Sequence, residues 1–117
     1  MKLGHIELRV ADPERARRFY EEALGLRVVA DQEGRFIWLD AGSIEILLRP
    51  GVPPDGAASY DASALGLVVY VDDLPATAAA LRARGVALRP VDGDDRCLSF
   101  ADPDGHWYQL VDPRDHQ

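Results

Sequence analysis

His5, Glu7 and Arg9 alternate with Ile6, Leu8 and Val10 at the start of the chain, and Glu45, Leu47 and Arg49 repeat the habit further on. Period two belongs to a strand whose two faces meet different surroundings. A parity carrying a histidine, carboxylates and arginines can hold an ion-pair network, a polar ligand or a metal ion. Left dry and unpaired it would be costly, since even a neutral polar group costs about 2–7 kcal/mol to bury. Gly66, Val68 and Tyr70, then Trp107, Gln109 and Val111, hold the matching parity in the second half. Tyr70 and Trp107 supply either core filling or a platform for stacking. Nucleophilic catalysis has little support, because neither a serine nor the single Cys97 stands in a motif with a histidine. One cysteine also excludes an internal disulfide and any cysteine cluster, so a metal would draw on His, Glu, Asp or Gln. Cys97 reads as an ordinary strand residue, His106 and His116 as solvated surface groups, and Asp102 and Asp104 as turn formers.

The elements that position these groups must fit into 117 residues, 47% hydrophobic and 28% charged, which suits one soluble domain with a real core and makes disorder an unlikely class. Thirteen Lys plus Arg against twenty Asp plus Glu leave a net charge of -7 that repels phosphate backbones and anionic lipid. No apolar run approaches the roughly 20 residues of a membrane span, and MKLGHIELRV lacks the apolar stretch of a signal peptide, so a cytoplasmic address is expected.

The alternation predicts a strand over 3–10. Asp12 then offers an N-cap and Pro13 a first helical residue, and Ala16, Phe19, Tyr20, Ala23 and Leu24 recur at helical spacing, predicting a helix over 13–24 that ends at Gly25. Strands are predicted over 26–30, 36–40 and 44–49, with DQEGR and AGS as turns. The Pro- and Gly-rich stretch PGVPPDGAASYDAS, residues 50–63, reads as a linker. The pattern then restarts: a strand over 65–71, Asp73 as N-cap, a helix carrying Leu74, Thr77, Ala78 and Leu81 up to Gly85, and strands over 86–89, 96–101 and 107–111. RVADPERA aligns with YVDDLPAT, which sets Asp12 beside Asp73 and His5 beside Gly66; a slightly shifted register sets Gly42 beside Gly105 and Glu45 beside Gln109. The fold class is α+β: two tandem βαβββ modules, about 3–49 and 64–112, forming a cupped mixed sheet in one domain over 1–117, with helices on the outer face. The helices cover the Ile6, Leu8, Val10 parity, which leaves the polar parity facing a concavity.

GHIELRVADPERARRFYEEALGLRVV and FADPDGHWYQLVDP resemble the opening strand and helix, and the closing turn and strand, of the vicinal oxygen chelate superfamily, which holds glyoxalase I, extradiol dioxygenases and the fosfomycin and bleomycin resistance proteins. The resemblance covers residues 3 to 112. It is specific for fold through the DPDG turn, the FY pair and LGL, and less so for activity, because one scaffold hosts many functions. In metal-binding members of the glyoxalase type, residues on the first and last strands of each copy hold a divalent ion. Carried over position by position, this implies His5, Glu45 and Gln109 as ligands, with Gly66 at the fourth position supplying none. Such a set suits one divalent ion, Zn, Ni, Fe or Mn, or stands without one.

Two readings of function follow from the resemblance. In the first, the protein sequesters a small organic ligand in the β-cup, with Glu7, Arg9, Arg49, Tyr70 and Trp107 as contacts. The acidic surface would concentrate a cationic aromatic molecule, and rings and planar cations can stack. In the second, it is a metal-dependent lyase, isomerase or dioxygenase-like enzyme that chelates vicinal oxygens, with Glu45 (or the inward Glu7) as general base. Extradiol chemistry is the least favoured, as only His5 of the histidines falls on the implied metal strands. A sensing module ranks last, since no output domain accompanies the cup. Family members of this size pair, so a homodimer is expected by resemblance, and no nucleic-acid or membrane partner is.

Overall fold

A computed structural model describes residues 1–116. It divides into two compact units, Met1–Asp55 and the chain from Gly56 onward. The first contains β1 (His5–Val10), α1 (Pro13–Arg18), β2 (Arg27–Gln32), β3 (Phe36–Asp40) and β4 (Glu45–Pro50). The four strands form a mixed sheet ordered β1-β4-β3-β2, with β1 parallel to β4 and the remaining pairs antiparallel. The second repeats the plan with β5 (Gly66–Tyr70), α2 (Leu74–Ala83), β6 (Arg89–Val91), β7 (Asp94–Ala101) and β8 (Trp107–Val111), in the order β5-β8-β7-β6. The α+β class and the duplicated frame hold, and the strands form two four-stranded sheets, one in each unit. No helix among the described residues is long and apolar enough to cross a membrane.

Both helices start as their sequences dictate. The Asp12 carboxylate accepts the backbone N–H groups of Glu14 and Arg15, that of Asp73 accepts Ala76, and Pro13 and Pro75 sit in first turns where no N–H is needed. After Arg18 the first helix widens to π geometry over Phe19–Ala23, so the predicted helix 13–24 is an α segment followed by a π segment. Gly25, at φ +72°, ends it. α1 packs across β3 and β4, and Ala16 and Tyr20 are fully buried, as are Val10, Ile37, Leu39 and Leu48. In the second unit Leu74, Ala78 and Leu81 of α2 are buried, along with Val86, Leu98, Phe100, Tyr108 and Leu110. Phe100 and Tyr108 pair in register and their rings stack at 5.1 Å. Each fully buried aliphatic side chain contributes about 1.5–3 kcal/mol.

The structure differs from the sequence reading elsewhere too. DQEGR is a turn only at its end: Asp31 and Gln32 extend β2, and Glu33 and Gly34, both at positive φ, make the tight connection. The strand predicted over 86–89 starts at Arg89, because Val86 closes the end of α2 by donating its N–H to Leu81 and burying its side chain. The stretch read as linker 50–63 is divided, Pro50 completing β4 and the chain from Gly56 belonging to the second unit. His106 is no surface group: its side chain is 11% exposed, with Nδ1 2.7 Å from the buried Asp102 carboxylate. The other oxygen of Asp102 accepts the N–H groups of Asp104 and His106, so one carboxylate organises the whole DPDG turn.

Removing either cap should show its worth. Asp12→Ala and Asp73→Ala are each expected to lower unfolding free energy by about 1 kcal/mol in chemical denaturation, with unchanged denaturant slope.

Candidate functional site

With the helix on one face of each sheet, the opposite parity forms the inner face. In the first unit the register sets His5 beside Glu45, Glu7 beside Leu47 and Arg9 beside Arg49, and β3 adds Trp38 next to Leu47 and Asp40 next to Glu45. Glu7 is the hub. Its Oε2 accepts from His5 Nε2 at 2.8 Å, and its Oε1 from Arg49 at 2.9 Å and more distantly from Arg9 at 3.4 Å. The hydrogen bonds from His5 and then Arg49 stabilise the ionised form and hold the carboxyl at about 2, well below the ordinary range. The His5 ring meets Trp38 edge-on at 4.8 Å, and the Arg49 guanidinium lies 5.6 Å over Phe36. Among the described residues Arg49 Nε, shielded from solvent, finds no acceptor. Glu45 is exposed at the head of β4.

The second inner face is built from different chemistry. Gly66 stands beside Trp107, Val68 beside Gln109 and Tyr70 beside Val111. The partner of the first residue of β5 is therefore Trp107, where β1 has Glu45; Gln109 lies one pleat further along, and the sequence match of Glu45 to Gln109 is not the match of strand register. The Trp107 indole is 7% exposed, donates to the carbonyl of Ala57 at 3.0 Å and lies under the Arg89 guanidinium at 5.3 Å. Gln109 Nε2 donates to the hydroxyl of Tyr60 at 3.2 Å. That phenol rests on Gly66: a β-carbon there would meet the Tyr60 oxygen at 2.3 Å. Beyond it lies a cavity of about 430 Å³ lined by Val68, Tyr70, Cys97, Gln109, Val111, Pro113 and His116. Burial pushes the Cys97 thiol up, away from the reactive thiolate, and its sulfur lies 3.5 Å from His116 Nε2.

The residues named from sequence fall into two sets. His5, Glu7, Arg9, Glu45 and Arg49 come together on the first inner face; Tyr70, Trp107 and Gln109 belong to the second, with Trp107 covered and Tyr70 73% exposed. Tyr60, Arg89, Phe36 and Trp38 were not singled out. Tyr60 had a faint signal, being the single aromatic in a stretch of small residues that precedes a glycine heading a strand. The donor set does not fit a resident divalent ion. His5 Nε2 is engaged by Glu7, Gly66 brings no donor and has a phenol against it, and Gln109 offers only a neutral amide oxygen, its nitrogen being turned to that phenol. Among the described residues no three His, Cys, Asp or Glu side chains stand together as a metal requires.

Comparison with known proteins agrees with this architecture. The model of the Glyoxalase/Bleomycin resistance protein/Dioxygenase superfamily matches residues 2–110. A lactoylglutathione lyase of Haemophilus influenzae is 30% identical, over 96% of this chain and 93% of its own length. TnmS3, an antibiotic binding protein from Streptomyces sp. CB03234, superposes with a TM-score of 0.73 at 30% identity, covering 96% of this chain and 98% of that one. The E126Q mutant of the fosfomycin resistance protein FosX from Listeria monocytogenes, complexed with Mn(II) and dihydroxypropylphosphonic acid, superposes at 0.71 with 18% identity, covering 94% and 88%, a likeness of fold alone.

The Glu7 hub has a pH signature. Its folded pKa lies below the ordinary 4.5, so the unfolded chain takes up the proton first on acidification, and the stability it contributes above 4.5 is lost as pH falls toward about 2. Glu7→Gln should remove this component, giving a shallower fall of melting temperature across that interval than wild type, and carbon NMR of the Glu7 carboxyl should titrate near 2.

Proposed function

This chain belongs to the Glyoxalase/Bleomycin resistance protein/Dioxygenase superfamily, and from that premise we propose that it binds and sequesters a small organic molecule on the inner faces of its sheets without altering it. The observation that carries this reading is the cavity of about 430 Å³ on the second inner face, of a size that takes a drug-like molecule, walled by Val68, Tyr70, Val111 and Pro113, with Gln109, Cys97 and His116 as its other lining groups. Such a lining supplies apolar area and orientation, and no activated nucleophile: the one thiol is held in its neutral form. The antibiotic-binding relative supports the same reading at 30% identity. A homodimer belongs to the proposal too, supported by Val68, Val69 and Tyr70 exposed along β5, an edge strand of its sheet.

The competing reading is a metal-dependent enzyme acting on vicinal oxygens. His5 and Glu45, adjacent in register, and the lyase relative favour it. The engagement of His5 by Glu7 and the absence of a side chain at Gly66 weigh against it.

Binding of at least one member of a panel of aromatic molecules, neutral (2-naphthol) and cationic (bleomycin, daunorubicin), should appear as a rise in melting temperature and quenching of intrinsic fluorescence, and mass spectrometry should recover the molecule unchanged. Failure of every such compound to bind, or recovery of a modified product, overturns sequestration. Elemental analysis of protein purified without chelator should show no stoichiometric Zn, Ni, Fe or Mn, and adding these ions should leave melting unchanged. A stoichiometric ion that His5→Ala removes would decide for the enzyme.

A further inference from the structure

The segment Gly56–Ser63 has no regular strand or long helix, yet three side chains of the second sheet hold it down. Trp107 Nε1 donates to the Ala57 carbonyl at 3.0 Å, Arg89 to the Ala58 carbonyl at 2.7 Å, and Gln109 Nε2 to the Tyr60 hydroxyl at 3.2 Å. Its own end is closed by Ala62 and Ser63, whose N–H groups donate to Ser59 and Tyr60. The Tyr60 ring lies so close to Gly66 that a β-carbon there would meet its terminal atoms at 2.3, 2.6 and 2.8 Å. Gly66 and Tyr60 are thus two halves of one steric fit: the missing side chain on β5 makes the room the phenol fills.

We propose that this segment is a strap that fills the Gly66 end of the second inner face, and that Tyr60 is a positioning residue which, by holding the Gln109 carboxamide, makes it the polar anchor of the cavity beyond and selects an uncharged, mainly apolar ligand. The assignment rests on the sequestration reading and names its ligand class. Gln109 is the member of the cavity wall that touches the strap, and one of its amide N–H groups is engaged by the Tyr60 hydroxyl, which leaves the rest of the carboxamide to the cavity. No Asp, Glu, Lys or Arg is among the described residues of that wall. A charged ligand gains no carboxylate, lysine or arginine counter-ion from that wall, whereas a neutral ring with one hydroxyl buries apolar area and meets the amide. This differs from the expectation of a cationic ligand, which rests on the net charge of -7 of the whole chain and not on the residues of this wall.

The test uses three probes of nearly equal shape at pH 8, where histidine is ordinarily neutral: 2-naphthol, 2-naphthoate and 2-naphthylmethylammonium, each titrated calorimetrically against the full chain. Naphthol should bind best. Tyr60→Phe, which keeps the ring and removes the hydroxyl, should melt close to wild type, weaken naphthol by about three- to tenfold, and shift the Gln109 side-chain amide resonance, identified from its absence in Gln109→Ala. Gly66→Ala should displace the phenol and reproduce both effects. Its destabilisation should largely vanish in a Tyr60→Ala background, a coupling that only direct contact produces. Tighter binding of either charged probe, or an unchanged affinity and amide resonance in Tyr60→Phe, overturns the assignment and leaves sequestration standing. Absence of binding by all three overturns it as well, and sequestration itself then fails only if bleomycin and daunorubicin are also unbound.

Discussion

A four-stranded sheet with a single helix packed on it has two faces and a cover for one of them. The side chains of the uncovered parity must therefore pair with each other, be covered by another segment, or face water or a ligand, because an unpaired charge or a bare apolar row on a closed face is costly. Both units obey this constraint with the same strand order, and they satisfy it differently. In the first, ionised and aromatic groups pair among themselves around Glu7. In the second, a length of irregular chain is laid over part of the face and a cavity is left over the rest.

This divergence separates two copies that the repeat makes look alike. His5 and Gly66 head equivalent strands, but one is a ring held by a carboxylate and the other an absence that a phenol fills. The strand beside them differs too, with Glu45 at the head of β4 and Trp107 at the head of β8. A symmetric set of ligands drawn from both copies would need four donors at four matching positions. Here one position has no side chain, the histidine is engaged by Glu7, and the glutamine is a neutral amide whose nitrogen is turned to Tyr60. What the duplication conserves is the scaffold; the chemistry on its inner faces has moved from one copy to the next.

Much of the scaffold was legible because its signals are local. Asp12-Pro13 and Asp73 start helices through contacts within three residues, Phe36–Asp40 and Trp107–Val111 are short, largely apolar runs rich in aromatic residues and each preceded by a turn glycine, and both are strands where expected. The errors fall where a tertiary partner overrides a local preference. Val86 looks like a strand residue and instead closes α2, and His106 looks like a polar turn residue and instead docks on Asp102. The shared parity of Gln109 and Glu45 was visible, since it depends on odd and even. Their difference of one pleat was not, since register depends on how two distant strands slide before they pair.

The amino-acid sequence by itself determined the α+β class, the two copies, the element order and which side chains share a face, because each of these follows from periodicity and from interactions a few residues long. Tertiary structure alone decided that Glu7 gathers His5 and two arginines, that Trp107 lies covered, and that Tyr60 sits on Gly66. Those contacts join residues from 2 to 50 positions apart, and a loop rich in proline and small residues has no periodicity from which its path could be read. Where it lands is set by three donors on the second sheet.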